Sequence, residues 1–436
     1  MRKPRVLYLA FFFPPTRASG VYRSRAFANV FADAGWRVSV FTAPERFFSH
    51  AIRSIDDSLL ETIDPRVEIH RTPMDLQPWE SDVRRYSRWH RAAPLLWEGA
   101  RRQLVAKTTS EPYVTWVPGV LREAMREHRR DPFDLIIATG NPFSAFVAAG
   151  MLGRTLKVPY VVDYRDAWTF NQFTEQMRYP DDHRVMKAEQ WSLAGAEEIL
   201  YVNDGMRQWY AERYPESAAR MQVVLNGWEP ELLGDVPPAV GPPERDLSFR
   251  YVGTVTDPMP LEELFGGWQL AHGSPEVAGS TLDIYGHLGF FPHAAARVQE
   301  RFPDPATSGV HYRGAVPKAE IAATYAGADA LMFSVPGARF VTSGKVFEYM
   351  ATGRPIVSVH QRGLAAEELL AGYPLWFPAA SLEIEDVADA FRAAAAATRT
   401  LTPEQQRAAA RTALPYRREQ VIAPFVERME QVVRRG

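Results

Sequence analysis

The chain has no cysteine among its 436 residues. Disulfides, zinc–cysteine sites, iron–sulfur clusters and thiol catalysis are therefore excluded, and the composition fits a reducing cytoplasm. An excess of one charge is also missing. Lys and Arg number 50 against 52 Asp and Glu, a net charge of -2, so no global field draws the chain to nucleic acid. No apolar run is long enough to span a bilayer. Arg2, Lys3 and Arg5 ahead of VLYLAFFF mimic an export signal. The run ends at Pro14-Pro15 without a small-residue cleavage site, so it reads as a buried strand. The 10 histidines are scattered, and no HExxH-type spacing marks a metal site. There is no GxxxxGK[ST] phosphate loop, no GxSxG elbow and no GxGxxG after the first strand. That argues against P-loop, hydrolase-elbow and nicotinamide or flavin chemistry.

What is present is a repeating alternation of short apolar runs and helical patterns. Hydrophobic residues make up 46% and charged residues 23%, ordinary for a globular protein with full cores. RVLYLAFF at 5–12, WRVSVFTA at 36–43, VEIHRTP at 67–73, DLIIATGN at 134–141, PYVVDYRD at 159–166, EEILYVN at 197–203 and QVVLNG at 222–227 read as strands of one doubly wound sheet. A proline-rich break, DVPPAVGPPERD, marks a linker at 236–246. The cycle then restarts with LSFRYVGTV at 247–255, STLDIYGHL at 280–288, VHYRGAV at 310–316, ADALMFSV at 328–335, PIVSV at 355–359 and PLWFPA at 374–379. A helix is expected over 318–325, and a helical tail from Thr402. The fold class is α/β, with two tandem Rossmann-like doubly wound domains facing across a cleft. The boundaries are 1–235 for the N-terminal domain on the acceptor side, 247–414 for the C-terminal domain on the donor side, and 415–436 for a helix returning to the first domain.

Ligands of such sheets bind at the carboxyl ends of the strands, and TSGKVFEYMATGRPIV at 342–357 lies at such an end. Its short helix carries Lys345 in the first turn and Glu348 in an apolar run. A cation near a helix N-terminus opposes the macrodipole, and a carboxylate among apolar neighbours is costly without a partner. A nucleotide-sugar removes both objections, with its diphosphate at Lys345 and its ribose diol at Glu348. An ordinary ion pair three residues apart on one helix face is the competing reading.

Other strand ends supply further candidates. Ser19-Gly20-Val21 opens a helix whose free N–H groups can hold an anion, and Arg23 and Arg25 lie in its first turns. Asn141 ends one strand, and Asp163, Arg165 and Asp166 close the next, either binding substrate hydroxyls, supplying a base or forming a structural Asp–Arg pair. Gly253-Thr254, Gly286 and Gly314 follow strands in the second half, where backbone can approach a ligand. Segment 84–130 differs in character, with eleven basic residues against four acids, interleaved with Tyr86, Trp89, Trp97, Tyr113 and Trp116. It suits an anionic membrane or an anionic acceptor, or a helical insertion with solvated arginines and core aromatics.

These residues together resemble the GT-B glycosyltransferases, above all the retaining glycosyltransferase family four of bacterial cell-surface and natural-product pathways. The resemblance covers nearly the whole chain. It is carried by SGVYRSRAFANVFADAGWRVSVFT, VVDYRDAW, VLNGW, VGT, DIYGHL and most specifically SGKVFEYMATGRPIV. It implies Glu348 on the ribose, Ser343 and Lys345 at the diphosphate with Thr342 in the same turn, Gly20 under the phosphates, and Gly314 to Val316 past the base. Asp166 and Asn141 would orient acceptor or donor sugar. No cofactor and no metal are implied beyond the nucleoside-diphosphate sugar as co-substrate. The acceptor would be a small or lipid-linked molecule, and the location cytoplasmic or peripheral to the inner membrane face. Two departures stand out. Phe340 occupies the place of the family's first acid in its Glu, seven residues, Glu pair. Thr254 follows Gly253, and Pro260 stands where a lysine is expected, so phosphate charge rests on Lys345 with help from Arg23, Arg25 or Arg339. A nucleotide-sugar epimerase and a catalytically silent partner protein are the other functions this pattern allows.

Overall fold

The computed structural model describes residues 2–18, 20–52, 54–80, 82–109, 111–234, 245–289, 292–317, 320–337 and 340–435. The chain forms two units, Met1–Leu225 with Ile422–Gly436, and Asn226–Val421. The change of unit falls at Leu225–Asn226, within VLNGW and ahead of the proline-rich stretch. Residues 235–244 of that stretch lie outside the described residues.

The first unit is built on strands β1 (Arg5–Leu9), β2 (Arg37–Thr42), β3 (Val67–Arg71), β4 (Leu135–Gly140), β5 (Tyr160–Tyr164), β6 (Glu198–Tyr201) and β7 (Met221–Val223). They form one parallel sheet in the order β3-β2-β1-β4-β5-β6-β7. All residues of β1, β4 and β5 are buried, as expected when helices cover both faces. The strand order reverses between β1 and β4, so the loops after these two strands diverge and leave a crevice at their carboxyl ends. The helices Val21–Asp33 and Ser144–Leu156 start there. The final helix, Arg418–Arg435, enters this unit at Ile422. Phe425 packs its ring 5.8 Å from Phe27 and 5.9 Å from Phe31, and Arg428 pairs with Glu198 at 2.8 Å.

The second unit repeats the plan with β8 (Ser248–Val252), β9 (Thr281–Tyr285), β10 (Val310–Gly314), β11 (Ala330–Ser334), β12 (Ile356–Val359) and β13 (Trp376–Pro378). Its parallel order is β10-β9-β8-β11-β12-β13, with the reversal between β8 and β11. Phe249, Trp268 and Phe391 form its aromatic centre, with ring separations of 5.1 to 5.6 Å. All thirteen strands expected from the sequence are present. The expected helix at 318–325 is found as Ile321–Ala326, and residues 318 and 319 lie outside the described residues. QVVLNG is strand only to Val223. The Trp228 N–H donates to the Tyr416 carbonyl and the Arg418 N–H to the Trp228 carbonyl, at 3.0 and 2.9 Å, so this stretch clips the C-terminal segment. Among the described residues no helix is long and apolar enough to cross a membrane.

Candidate active site

In the second unit three glycines end three neighbouring strands. Gly253 follows β8, Gly286 follows β9 and Gly314 closes β10. The Gly253 N–H donates to the Tyr285 carbonyl and the Gly286 N–H to the Gly314 carbonyl, each at 2.8 Å. Gly286 has a φ of 143°, and a Cβ there would stand 1.8 Å from the Gly253 carbonyl oxygen. Only glycine allows this approach. The result is a backbone shelf without side chains at the strand ends.

Lys345 lies against that shelf. Its Cε is 3.0 Å from the place a Gly253 side chain would start. The helix Lys345–Ala351 begins at Gly344 without a side-chain cap, and Ser343 Oγ accepts the Lys345 N–H at 3.4 Å. The structure thus brings Gly253, Ser343 and Lys345 to the switch point of the second sheet, with Gly286 and Gly314 at the ends of the next two strands outward. Thr254 is beside them, its carbonyl accepting from the Tyr251 hydroxyl at 3.0 Å. Thr342 is buried, and its Oγ1 has no hydrogen-bond partner among the described residues. Val316 is half-buried, two residues past Gly314. Phe340 is 1% exposed, so the place of the family's first acid is filled by a core side chain. Arg339 lies outside the described residues.

Glu348 is partly exposed, and its Oε2 accepts a hydrogen bond from the Tyr325 hydroxyl at 2.6 Å. Tyr325 is fully buried, and burial with the nearby Glu348 charge pushes its hydroxyl well above the usual range. The same helix is tied to the end of β8, where the Val252 N–H donates to the Tyr349 hydroxyl at 2.9 Å. Arg354 donates to the carbonyl of Ala326, the last residue of the Tyr325 helix, at 2.7 Å and to that of Ala328 just past its end at 2.5 Å. Burial lowers Arg354 to about 10. Tyr325 escapes a local reading because its partner lies 23 residues on. Tyr325→Phe should leave the unfolding midpoint nearly unchanged, since the ring still fills its site. If Glu348 holds a ribose, loss of the orienting donor should weaken nucleotide binding about three- to tenfold, measured by calorimetry. Unaltered affinity would show that Glu348 needs no orienting partner.

In the first unit the guanidinium of Arg165 occupies the space a side chain at position 20 would take, its Nη1 1.0 Å from an ideal Gly20 Cβ. Arg165 donates from Nε to the Gly140 carbonyl at 2.7 Å and from Nη2 to the Asn141 carbonyl at 2.8 Å. Gly20, Asn141 and Arg165 therefore meet at the switch point between β1 and β4. The Asn141 side chain is exposed. Asp166 follows Arg165, partly exposed, and accepts from Gln172 Nε2 at 3.2 Å.

Three expected ligand contacts are corrected by the structure. Arg23 and Asp163 are 3% and 0% exposed and pair with each other at 2.7 Å. Thr139 also donates to Asp163 at 2.9 Å, and Arg23 to the Leu225 carbonyl at 2.9 Å. The Arg23 guanidinium lies 4.8 Å from the centre of the Phe27 ring one turn later, on the helix face that packs inward. Arg25 is buried and donates to Thr62. These three side chains are buried against protein partners.

Two carboxylates escaped the sequence. Glu111 accepts the N–H groups of Phe143 at 2.9 Å and Ser144 at 2.7 Å, capping a helix that has no cap of its own. Burial pushes its carboxyl up to about 7 despite those donors. Glu189 is fully buried and accepts four hydroxyls, from Tyr164 at 3.0 Å, Tyr210 at 3.1 Å, Thr169 at 2.6 Å and Tyr214 at 2.8 Å. This cluster holds the loop after β5 that carries Asp166. Among the described residues no three His, Asp or Glu side chains gather as metal ligands would.

Two parallel, doubly wound sheets in one chain define an α/β architecture of the GT-B glycosyltransferase type. Residues 20–227 match the family described as glycosyl transferase 4-like domain, and the protein is a glycosyltransferase. Among solved structures it is similar to a sucrose-phosphate synthase from Thermosynechococcus elongatus, at 15% identity and a TM-score of 0.64, covering 99% of each chain. It is similar at 15% identity and a TM-score of 0.64 to Anabaena HepE in complex with UDP and glucose, covering 98% of this chain and 99% of that one. The lipopolysaccharide outer core galactosyltransferase WaaB, in its apo form, gives 12% identity and a TM-score of 0.56 over 98% and 99% of the two chains. These likenesses are of fold. A comparison with curated protein sequences returned no match.

Proposed function

We propose that the protein moves a sugar from a nucleoside diphosphate to an acceptor hydroxyl or amine, with retention at the anomeric carbon and without a metal ion. The observation that carries this reading is the Lys345 side chain lying against the glycine shelf at the β8–β11 switch point. Bare backbone admits a diphosphate closely, and a fixed ammonium beside it neutralises the charge that grows as the sugar leaves. Glu348, whose Oε2 accepts from Tyr325, is the group we assign to a ribose diol. The glycosidic C–O bond to the diphosphate breaks as the acceptor oxygen or nitrogen bonds to the same face of the anomeric carbon. The departing phosphate oxygen takes the acceptor proton, so no side-chain nucleophile is needed. In the first unit Asn141, Arg165 and Asp166 are the groups offered to an acceptor, which is small or lipid-linked. The UDP held by the HepE neighbour supports the nucleotide half of this reading.

A calorimetric panel of UDP, GDP, dTDP and ADP on wild type and Glu348→Ala tests it. One nucleotide should bind, and the variant should bind it about tenfold or more weakly, from the loss of a charged hydrogen bond. No tight nucleotide, or equal binding by the variant, sinks the assignment.

A further inference from the structure

Asp166 stands two residues past the end of β5 and is half-buried. Among the described residues its carboxylate makes one hydrogen bond and no ion pair. That bond comes from Gln172, which is 7% exposed. Gln172 Oε1 accepts the Ala167 N–H at 2.9 Å. A backbone N–H can only donate, so the orientation of the amide is fixed. Its Nε2 is then the group that donates to Asp166 Oδ1 at 3.2 Å. The amide is engaged at both ends, and Asp166 Oδ2 keeps its full acceptor capacity.

Gln172 is itself held. Residues 169–178 leave the end of β5 and double back, with the Asn171 N–H on the Gln176 carbonyl and the Arg178 N–H on the Thr169 carbonyl, each at 2.8 Å. At the base of this loop Thr169 donates to Glu189 at 2.6 Å, the Trp168 N–H donates to the Tyr210 hydroxyl at 3.2 Å, and the Phe170 ring lies 3.9 Å from that of Trp209. The hydroxyl cluster around Glu189 thus leads, through this loop, to one oxygen of Asp166. A solvated loop carboxylate needs no such support, whereas one that meets a substrate at a fixed place does.

We infer that Gln172 is a positioning residue for the acceptor, setting Asp166 so that Oδ2 accepts a hydrogen bond from the acceptor beside its reacting atom. The inference rests on the reading of the first unit as the acceptor side. In that reading the departing phosphate takes the reacting proton. Asp166 then requires a second O–H or N–H, which a vicinal diol, an amine or water supplies and a monohydric alcohol lacks. With water in the acceptor's place the result is slow hydrolysis. The C–O bond to the diphosphate breaks and the water oxygen bonds to the anomeric carbon. One water proton goes to the phosphate while the other is hydrogen-bonded to Asp166, leaving free sugar and nucleoside diphosphate.

Release of nucleotide from UDP-glucose, GDP-glucose, dTDP-glucose and ADP-glucose, with water as the acceptor, tests it. Wild type should hydrolyse one of them slowly. Gln172→Met should lower kcat about tenfold or more by freeing the carboxylate, with KM for the sugar nucleotide unchanged. Gln172→Glu should lose as much, since it keeps an oxygen for the Ala167 N–H but has no hydrogen for Asp166. In an Asp166→Ala background, itself slower than wild type, Gln172→Met should cost nothing further. The inference is overturned if wild type hydrolyses none of the four, or if either Gln172 variant keeps the wild-type kcat. It is equally overturned if Gln172→Met costs as much without the Asp166 carboxylate as with it, the mark of a purely structural tie. A nucleotide that binds in the calorimetric panel while these kinetics fail sinks this inference alone and leaves the donor reading standing.

Discussion

Lys345→Ala should lower kcat by about two to three orders of magnitude, the effect of removing one preorganised charge from a leaving group. The reasoning starts from the shelf. Gly253, Gly286 and Gly314 present backbone, and the loop after β8 holds no cation where the family's lysine is expected, since Pro260 stands there. Among the side chains nearest Gly253, those of Tyr251 and Lys345, Lys345 carries the cation. With it gone, a departing diphosphate meets helix and loop dipoles alone. Lys345→Arg should recover part of the rate, because the charge returns on a different geometry. Measured as single-turnover transfer, a loss of only a few-fold in Lys345→Ala would mean that the charge is supplied elsewhere.

The second large effect falls on stability. Glu189→Ala should destabilise the fold by about 4 kcal/mol or more, read from the denaturant midpoint, because four buried hydroxyls lose their acceptor at about 1–3 kcal/mol each before relaxation. Among the described residues no cation pairs with the carboxylate, and burial pushes its pKa up while the four donors oppose that shift. Glu189→Gln keeps one oxygen and places an amide donor against two hydroxyls, so its cost should lie between wild type and alanine. A loss under about 1 kcal/mol in Glu189→Ala would show that the hydroxyls find water or one another.

The strands were legible in the sequence because each is a short apolar run closed by turn residues, a purely local signal. Lys345 and Glu348 stood out for a related reason: each is awkward in its own helix. The limits of such reading show in Arg23 and Asp163. They carried the same local signature, charges at the ends of buried elements, yet they satisfy each other across 140 residues of chain. A charge awaiting a ligand and a charge awaiting a distant side chain look alike until the sheet is assembled. Glu111 and Glu189 were missed for the converse reason. Neither is out of place locally, and their partners at 32 and 25 residues distance become neighbours only when β4 and β5 align. Phe340 was read correctly as not an acid, but that it seals the core could not be seen from its neighbours.

The Arg165 guanidinium standing in the space of a missing side chain makes positions 20 and 165 a single variable. Any residue larger than glycine at 20 evicts the guanidinium from the carbonyls of Gly140 and Asn141, so its phenotype includes that of losing Arg165. Mutational effects at the two positions then fail to add. Directed evolution that samples them one at a time explores a dead axis, whereas joint libraries that shrink 165 as they enlarge 20 reach combinations that no single substitution can.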